Sequence, residues 1–282
     1  EIMPSLVGSE MCIRDRYKRM NEGKEITMLY DEIINIVTLA GEMILQAHEE
    51  ELTIYDKAGI SNFVTKHDKD VQSYLIRNLR IILPEANFLA EEDGIQQELG
   101  EGYCFIIDPI DGTTNFIFDY KHSCISVGLA YHGKMQFGCV YNPYTREMYT
   151  AIKGEGAKLN GKEIHSSDKG LSENLAAFGC ARYQTEDTDR IFDYAKKLYL
   201  NSLGIREGGS AALDICRVAS GANGVYVELM LQPWDYAAAS LIVMEAGGFI
   251  STAEGGLISL EQPSSILAAG RTCWKEAMKL LN

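Results

Sequence analysis

The segment Ile106-Ile107-Asp108-Pro109-Ile110-Asp111-Gly112-Thr113-Thr114-Asn115-Phe116 constrains this chain most, because two carboxylates leave an apolar run and enter a turn of glycine and hydroxyls. Cys104-Phe105-Ile106-Ile107 reads as a buried strand, and Pro109 and Gly112 fix a tight exit from it. Both carboxylates are then held at the strand end, an arrangement that suits divalent cations and an anion better than a core. Thr113 and Thr114 offer hydroxyls and N–H groups where a short helix could begin, a place favourable to phosphate oxygens. Taken alone, Asp-Gly-Thr is also an ordinary Asx-turn or helix cap. A cap needs one carboxylate, and this turn supplies two.

The 282 residues, 46% hydrophobic and 23% charged, suffice for a substantial core in one large domain or two tightly packed subdomains. A formal net charge of -14 opposes nonspecific association with nucleic acid or anionic lipid. An acidic protein that binds phosphate must cancel its own field locally, and metal cations do that. The cysteines at 12, 104, 124, 139, 180, 216 and 273 form no CxxC pair, and several lie in apolar runs, which favours a reducing, cytoplasmic compartment. No apolar run is long enough for a membrane span. Residues 1–20 lack usable periodicity and resemble translated adapter sequence. They are expected to form a non-native or disordered leader, with Met20 or Met28 as a start and residues 21–282 as a single domain.

Apolar spacing predicts a helix from Leu29 to His48 and a second from Lys69 to Leu83, ended by Pro84, with an extended piece or loop from Lys57 to Asp68 between them. Strands are predicted over Ser123–Ala130, Met135–Tyr141, Glu147–Ile152 and Lys162–Ile164, with Gly154-Glu155-Gly156 as a turn. Farther on, strands at Leu175–Phe178, Gly204–Glu207, Gly224–Glu228 and Ile266–Ala269 alternate with helices at Asp189–Leu200, Ser210–Ser220, Trp234–Ala246 and Thr272–Leu281. A layered helix and sheet protein follows, antiparallel-rich in its first half and alternating in its second.

Other acids join the opening pair. Leu89-Ala90-Glu91-Glu92-Asp93-Gly94 places carboxylates after an apolar stretch, and it reads equally as an exposed acidic loop. Glu91 could reach Asp108 through a turn and a returning strand. Gln232-Pro233-Trp234-Asp235 opens a helix, where Asp235 could merely favour the dipole. Together Glu91, Asp108, Asp111 and Asp235 make a hard-oxygen set suited to Mg2+.

Glu91-Glu92, Asp108 through Phe116, and Trp234-Asp235-Tyr236-Ala237-Ala238 resemble the inositol monophosphatase family in order and separation, from about Leu29 to the C-terminus. The resemblance implies an α/β layered sandwich (αβαβα). It also implies a Mg2+-dependent, lithium-sensitive phosphomonoesterase that is homodimeric and uses two or three ions, with Mn2+ as a substitute. On matching positions, Glu91, Asp108 and the Ile110 carbonyl resemble ligands of one ion, and Asp108, Asp111 and Asp235 those of another. Asp68 resembles an early metal-site aspartate. Glu91 and Thr113 resemble the groups that activate the attacking water, and Gly112, Thr113 and Thr114 those that hold phosphate. Gly209, Ser210, Ala211 and Glu228 resemble the polyol-binding positions, with Asp214 nearby, and Lys57 matches a basic position. Cys180-Ala181-Arg182 departs from the serine-rich sequence common there.

The implied substrate is a small phosphorylated polyol or sugar, foremost myo-inositol monophosphate, with no nucleic acid or membrane partner. Fructose 1,6-bisphosphatase activity is the nearest alternative, then a 3'(2'),5'-bisphosphate nucleotidase. A regulatory or RNA-binding protein on the same fold is the alternative from another class, and it leaves the joint presence of these acids without a shared reason.

Overall fold

The computed structural model describes residues 23–47, 54–56, 63–94, 99–180 and 186–282. Residues 1–20, Lys57 and the Ala181-Arg182 pair lie outside the described residues. Helix α1 (Gly23–Ala47) buries Leu29, Ile33, Val37, Ala40 and Ile44 along one stripe. Two short strands, β1 (Ile54–Asp56) and β2 (Phe63–Thr65), pair antiparallel and lead into α2 (Lys66–Ile82). That helix begins earlier than its apolar stripe suggests, because Thr65 caps it. Thr65 Oγ1 accepts from the Asp68 N–H at 3.3 Å, and Asp68 Oδ2 accepts from the Thr65 N–H at 2.7 Å.

A seven-stranded sheet follows, ordered β3 to β9. Its members are β3 (Asn87–Ala90), β4 (Tyr103–Asp111), β5 (Cys124–Tyr131), β6 (Lys134–Asn142), β7 (Glu147–Ile152), β8 (Gly156–Leu159) and β9 (Lys162–Ile164). Strand β3 runs parallel to β4, so the chain from Glu91 to Asp108 crosses over rather than returning. Strand β4 is longer than its apolar run. It continues through Pro109 to Asp111, with a bulge where Asp108 faces Ser126 and Asp111 faces Cys124. A bulge is where a strand tolerates proline, and it re-aims the side chains that flank it. Strand β8 starts at Gly156, the last residue of the predicted turn, and pairs antiparallel with β7, Tyr149 opposite Leu159. The short helix α3 (Thr113–Ile117) starts directly after the sheet.

The second sheet has five strands in the order β11, β10, β12, β14, β13. These are β10 (Ala176–Phe178), β11 (Ile205–Arg206), β12 (Val225–Leu231), β13 (Phe249–Ser251) and β14 (Ser264–Ala269), and β13 was not foreseen. Helices α4 (Thr188–Asn201), α5 (Ala211–Ala219), α6 (Pro233–Glu245) and α7 (Arg271–Leu281) complete the chain. Among the described residues, three apolar cores separate the layers. One lies between α1, α2 and the large sheet. A second encloses α5 and α6 between the sheets. The third packs α4 and α7 on the outer face of the small sheet. The layer order is therefore helix, sheet, helix, sheet, helix. Among the described residues no helix is long and apolar enough to cross a membrane.

Helix α6 is apolar all round because both its faces are covered. Its Ala238 lies against Gly128 and Gly138 of the large sheet, and a Cβ at Gly138 would stand 2.5 Å from the Ala238 carbonyl oxygen. Only glycine allows so close an approach. Gly138→Ala is expected to lower the unfolding free energy by about 2 kcal/mol, measured by urea denaturation. Equal stability of the two proteins would mean that the helix has room to retreat.

Candidate functional site

The C-terminal ends of β3 and β4, helix α3, the first turns of α5 and α6, and the end of β12 converge on one cavity of about 520 Å³. Parallel pairing brings Ala90 opposite Ile107, so Glu91, just past the end of β3, stands beside Asp108 of β4, and the Glu91 N–H donates to the Ile107 carbonyl at 3.2 Å. Gln72, buried in the stripe of α2, fixes this turn. Its amide bonds both the Glu92 N–H and the Glu92 carbonyl at 2.9 Å.

Each aspartate commits one carboxylate oxygen to a backbone N–H. Asp108 Oδ1 accepts from Ile110 at 3.0 Å, Asp111 Oδ2 from Ala212 at 2.8 Å, and Asp235 Oδ2 from Gln232 at 2.7 Å. Asp111 Oδ2 also takes the Ser210 hydroxyl at 2.6 Å, which ties the motif to the start of α5, about a hundred residues away in sequence. Asp235 thus fills its expected helix-end role and also lines the cavity. Asp68 lies deeper. It is fully buried, with Oδ2 bound to Thr65 and Oδ1 accepting from the Thr113 hydroxyl at 3.1 Å. Its carboxylate therefore reaches the cavity through Thr113 rather than by lining it. Thr113 Oγ1 also lies 3.2 Å from the Ile110 carbonyl.

Burial, then the charges of Glu91, Asp111 and Asp235, push the Asp108 carboxyl well above the usual range. Burial, then Asp111 and Glu91, do the same for Asp235. Burial raises Asp111 to about 6, although its bonds from Ser210 and Ala212 oppose the rise. Buried like charges that raise one another at a single cavity call for a cation. No Lys, Arg or His lines the cavity among the described residues. Among those residues, no group of three His, Cys, Asp or Glu side chains is already drawn together tightly enough to hold an ion alone. Oxygen donors supplied partly by side chains, partly by a carbonyl such as that of Ile110, and completed by water and phosphate fit a small hard cation.

Gly112 has φ +87°, and a Cβ there would meet the Gly209 carbonyl oxygen at 2.9 Å. Asn115, whose part sequence reasoning missed, stitches the same loops together by donating to the carbonyls of His122 at 2.7 Å and Gly208 at 2.8 Å. Asp214 Oδ2 accepts from the Gly208 N–H at 3.2 Å. Gly112, Thr113, Thr114, Gly209, Ser210, Ala211, Glu228 and Cys180 all border the cavity. Glu228 is buried, and burial raises its carboxyl to about 8 against a lowering bond from Tyr226. Gln72 and Tyr226 carried a readable signal: each is a polar residue placed by periodicity on a face that packs inward.

The inositol monophosphatase family model matches residues 27–282. The chain is 34% identical over 248 residues to inositol monophosphatase 1 of Bos taurus, spanning 86% of this chain and 90% of that protein. The solved extragenic suppressor protein SuhB from Bartonella henselae superposes with a TM-score of 0.83 at 29% identity, over 89% of this chain and 97% of that one. A solved IMPase/NADP phosphatase complexed with Mg2+ and phosphate gives 0.81 at 28% identity, over 92% and 95%. Extended over both sheets and the helices between them, this likeness makes the chain a member of the inositol monophosphatase family, a hydrolase of small phosphorylated metabolites.

Proposed function

We propose that the chain hydrolyses myo-inositol monophosphate, and related polyol or sugar monophosphates, to the free alcohol and phosphate within a single phosphatase domain of residues 21–282. One observation carries this reading: the carboxylates of Asp108, Asp111 and Asp235 share a cavity with the buried carboxylate of Glu228. In its ionised form Glu228 accepts hydrogen bonds from polyol hydroxyls and repels a second phosphate. A monophosphorylated polyol is favoured over fructose 1,6-bisphosphate for that reason.

Glu91, Asp108, the Ile110 carbonyl, Asp111 and Asp235 would hold two or three Mg2+ ions, with Asp68 behind them, and a relative solved with Mg2+ and phosphate supports this assignment. Mg2+ held by these residues would neutralise the phosphoryl oxygens and lower the pKa of water. The Thr113 hydroxyl donates to Asp68 and so keeps its lone pairs for a proton of the attacking water. Glu91, on the same cavity wall, takes the proton that water gives up. Backbone N–H groups of Gly112, Thr113 and Thr114 bind the phosphate, and Gly209, Ser210, Ala211 and Glu228 bind the polyol. Lithium sensitivity, a homodimer and a cytoplasmic location belong to the same reading and rest on the family resemblance.

Phosphate release from inositol 1-phosphate, glycerol 2-phosphate, fructose 1,6-bisphosphate and adenosine 3',5'-bisphosphate, with and without Mg2+, tests the reading. Inositol 1-phosphate is expected to give the highest kcat/KM. A higher value for the fructose bisphosphate would refute the preference.

Asp111→Asn is expected to lower kcat more than about a hundredfold with an unchanged far-ultraviolet circular dichroism spectrum. Lost helical signal alongside lost activity would assign Asp111 to structure instead. Thr113→Val is expected to lower kcat by about a hundredfold while KM moves little, and a change confined to KM would remove Thr113 from water activation.

The raised carboxyls also fix a sign. A carboxyl whose folded pKa exceeds its unfolded value binds its proton more tightly when folded, so stability is greatest at low pH and falls as pH rises through the folded value. With Asp111 near 6 and Glu228 near 8, the metal-free melting temperature should fall by about 5 °C between about pH 5.5 and about pH 8.5. Saturating Mg2+ should cancel most of that fall. Calorimetry showing a metal-free melting temperature that rises over this interval would contradict the charge assignment.

A further inference from the structure

Tyr226 and Glu228 are two apart on β12, so both point to the same face of the small sheet, toward the layer of α5 and α6, while Val225 and Val227 face the outer core. Tyr226 is 1% exposed and its hydroxyl donates to Glu228 Oε2. Both residues border the cavity. Strand β10 runs parallel to β12 with Phe178 opposite Val227, and the Gly179 N–H then donates to the Val227 carbonyl at 3.0 Å. Gly179 is thereby set beside the pair. A Cβ there would stand 2.2 Å from Glu228 Oε2 and 2.6 Å from the Tyr226 hydroxyl oxygen. The end of β10 is bare because two side chains lie across it.

The donor on Oε2 matters because a carboxylate has two oxygens and a free side chain presents them interchangeably. With Oε2 held by a buried phenol, Oε1 is the oxygen left to receive a substrate hydroxyl, in one orientation. Burial and the neighbouring charge of Glu228 keep the phenol protonated, since both raise it well above its ordinary value. It therefore stays a donor. A bulge in the β12 pairing directly after Glu228 ends the regular ladder there and separates this acid from Leu231 and the start of α6.

We propose that Tyr226 is a positioning residue for polyol recognition, which with the bare Gly179 locks Glu228 in the orientation that selects hydroxylated leaving groups. This rests on the polyol reading of the cavity. It predicts a loss in selectivity rather than in chemistry, because the pair lies on the small sheet and the Asp108 and Asp111 carboxylates on the large one.

The test measures kcat and KM of the Mg2+-loaded protein on inositol 1-phosphate and on phenyl phosphate, whose leaving group lacks the ring hydroxyls. For Tyr226→Phe the ratio of kcat/KM between the two substrates should fall about tenfold, mostly through KM for inositol 1-phosphate. Gly179→Ala, which crowds the same pair from the other side, should lower the ratio in the same sense, and it keeps the test open if the phenylalanine variant folds poorly. In a double-mutant cycle, Tyr226→Phe should have little further effect on the ratio once Glu228→Gln is present. A wild-type chain that prefers inositol 1-phosphate, with that preference intact in both single variants, overturns the role of Tyr226 alone. A wild-type chain with no such preference overturns the polyol reading and this inference together.

Discussion

Backbone N–H groups holding carboxylates against their mutual repulsion are the interaction on which the rest of this structure depends. Burial raises Asp108, Asp111 and Asp235 above the usual carboxylate range, and the charge of Glu91 adds to the rise at all three. Freely rotating side chains would turn outward to water. Here each is fastened by one oxygen to the main chain, at a bulge in β4, at the first turn of α5 and at the first turn of α6. A fastened carboxylate cannot relieve the strain by moving, so the cavity retains an excess of negative charge that a cation relieves. The stress is local and purposeful: Asp111 makes its bonds to Ser210 and Ala212 as a helix cap while its charge remains close to Asp108.

Fastening works only if the elements that carry the N–H groups are themselves rigid. Helix α6 lies between both sheets and approaches the large one at Gly138 closer than any side chain would permit. Ser126 of β5 donates to the Trp234 carbonyl at 3.3 Å, which joins the start of that helix to the strand facing Asp108. On the opposite side Gln72 clamps the Glu92 backbone to α2. These close-packed and hydrogen-bonded joints transmit position from the cores to the site, as preorganised electrostatics requires.

How far the sequence discloses this follows from the range of each signal. The Asp108 to Phe116 motif was legible because strand, proline, glycine and hydroxyls are adjacent, and α4 and α6 were legible because their patterns are long. Strand β3 has four residues, too few to display a period, and its parallel pairing with β4 leaves no trace in either segment. The extension of β4 through Pro109 contradicts local propensity and is allowed only by the bulge. Strand β8 hides behind a glycine turn that it prolongs. The bonds that assemble the site, Thr113 to Asp68 and Ser210 to Asp111, join distant segments. No local pattern encodes them, and the resemblance of spaced motifs was what made the residues recognisable before their contacts were known.

The two sheets divide the proposed work between phosphoryl and alcohol. Asp108 and Asp111 belong to the large sheet, and Glu228 with Tyr226 to the small one. Helix α6, which contributes Asp235, is packed against strands of both. A shift of one sheet against the other would change the span between a phosphate held by the first and hydroxyls read by the second, and effective catalysis tolerates little error in that span. The small-residue contacts of α6 therefore bear on more than stability, because they fix where the helix that carries Asp235 stands against the large sheet.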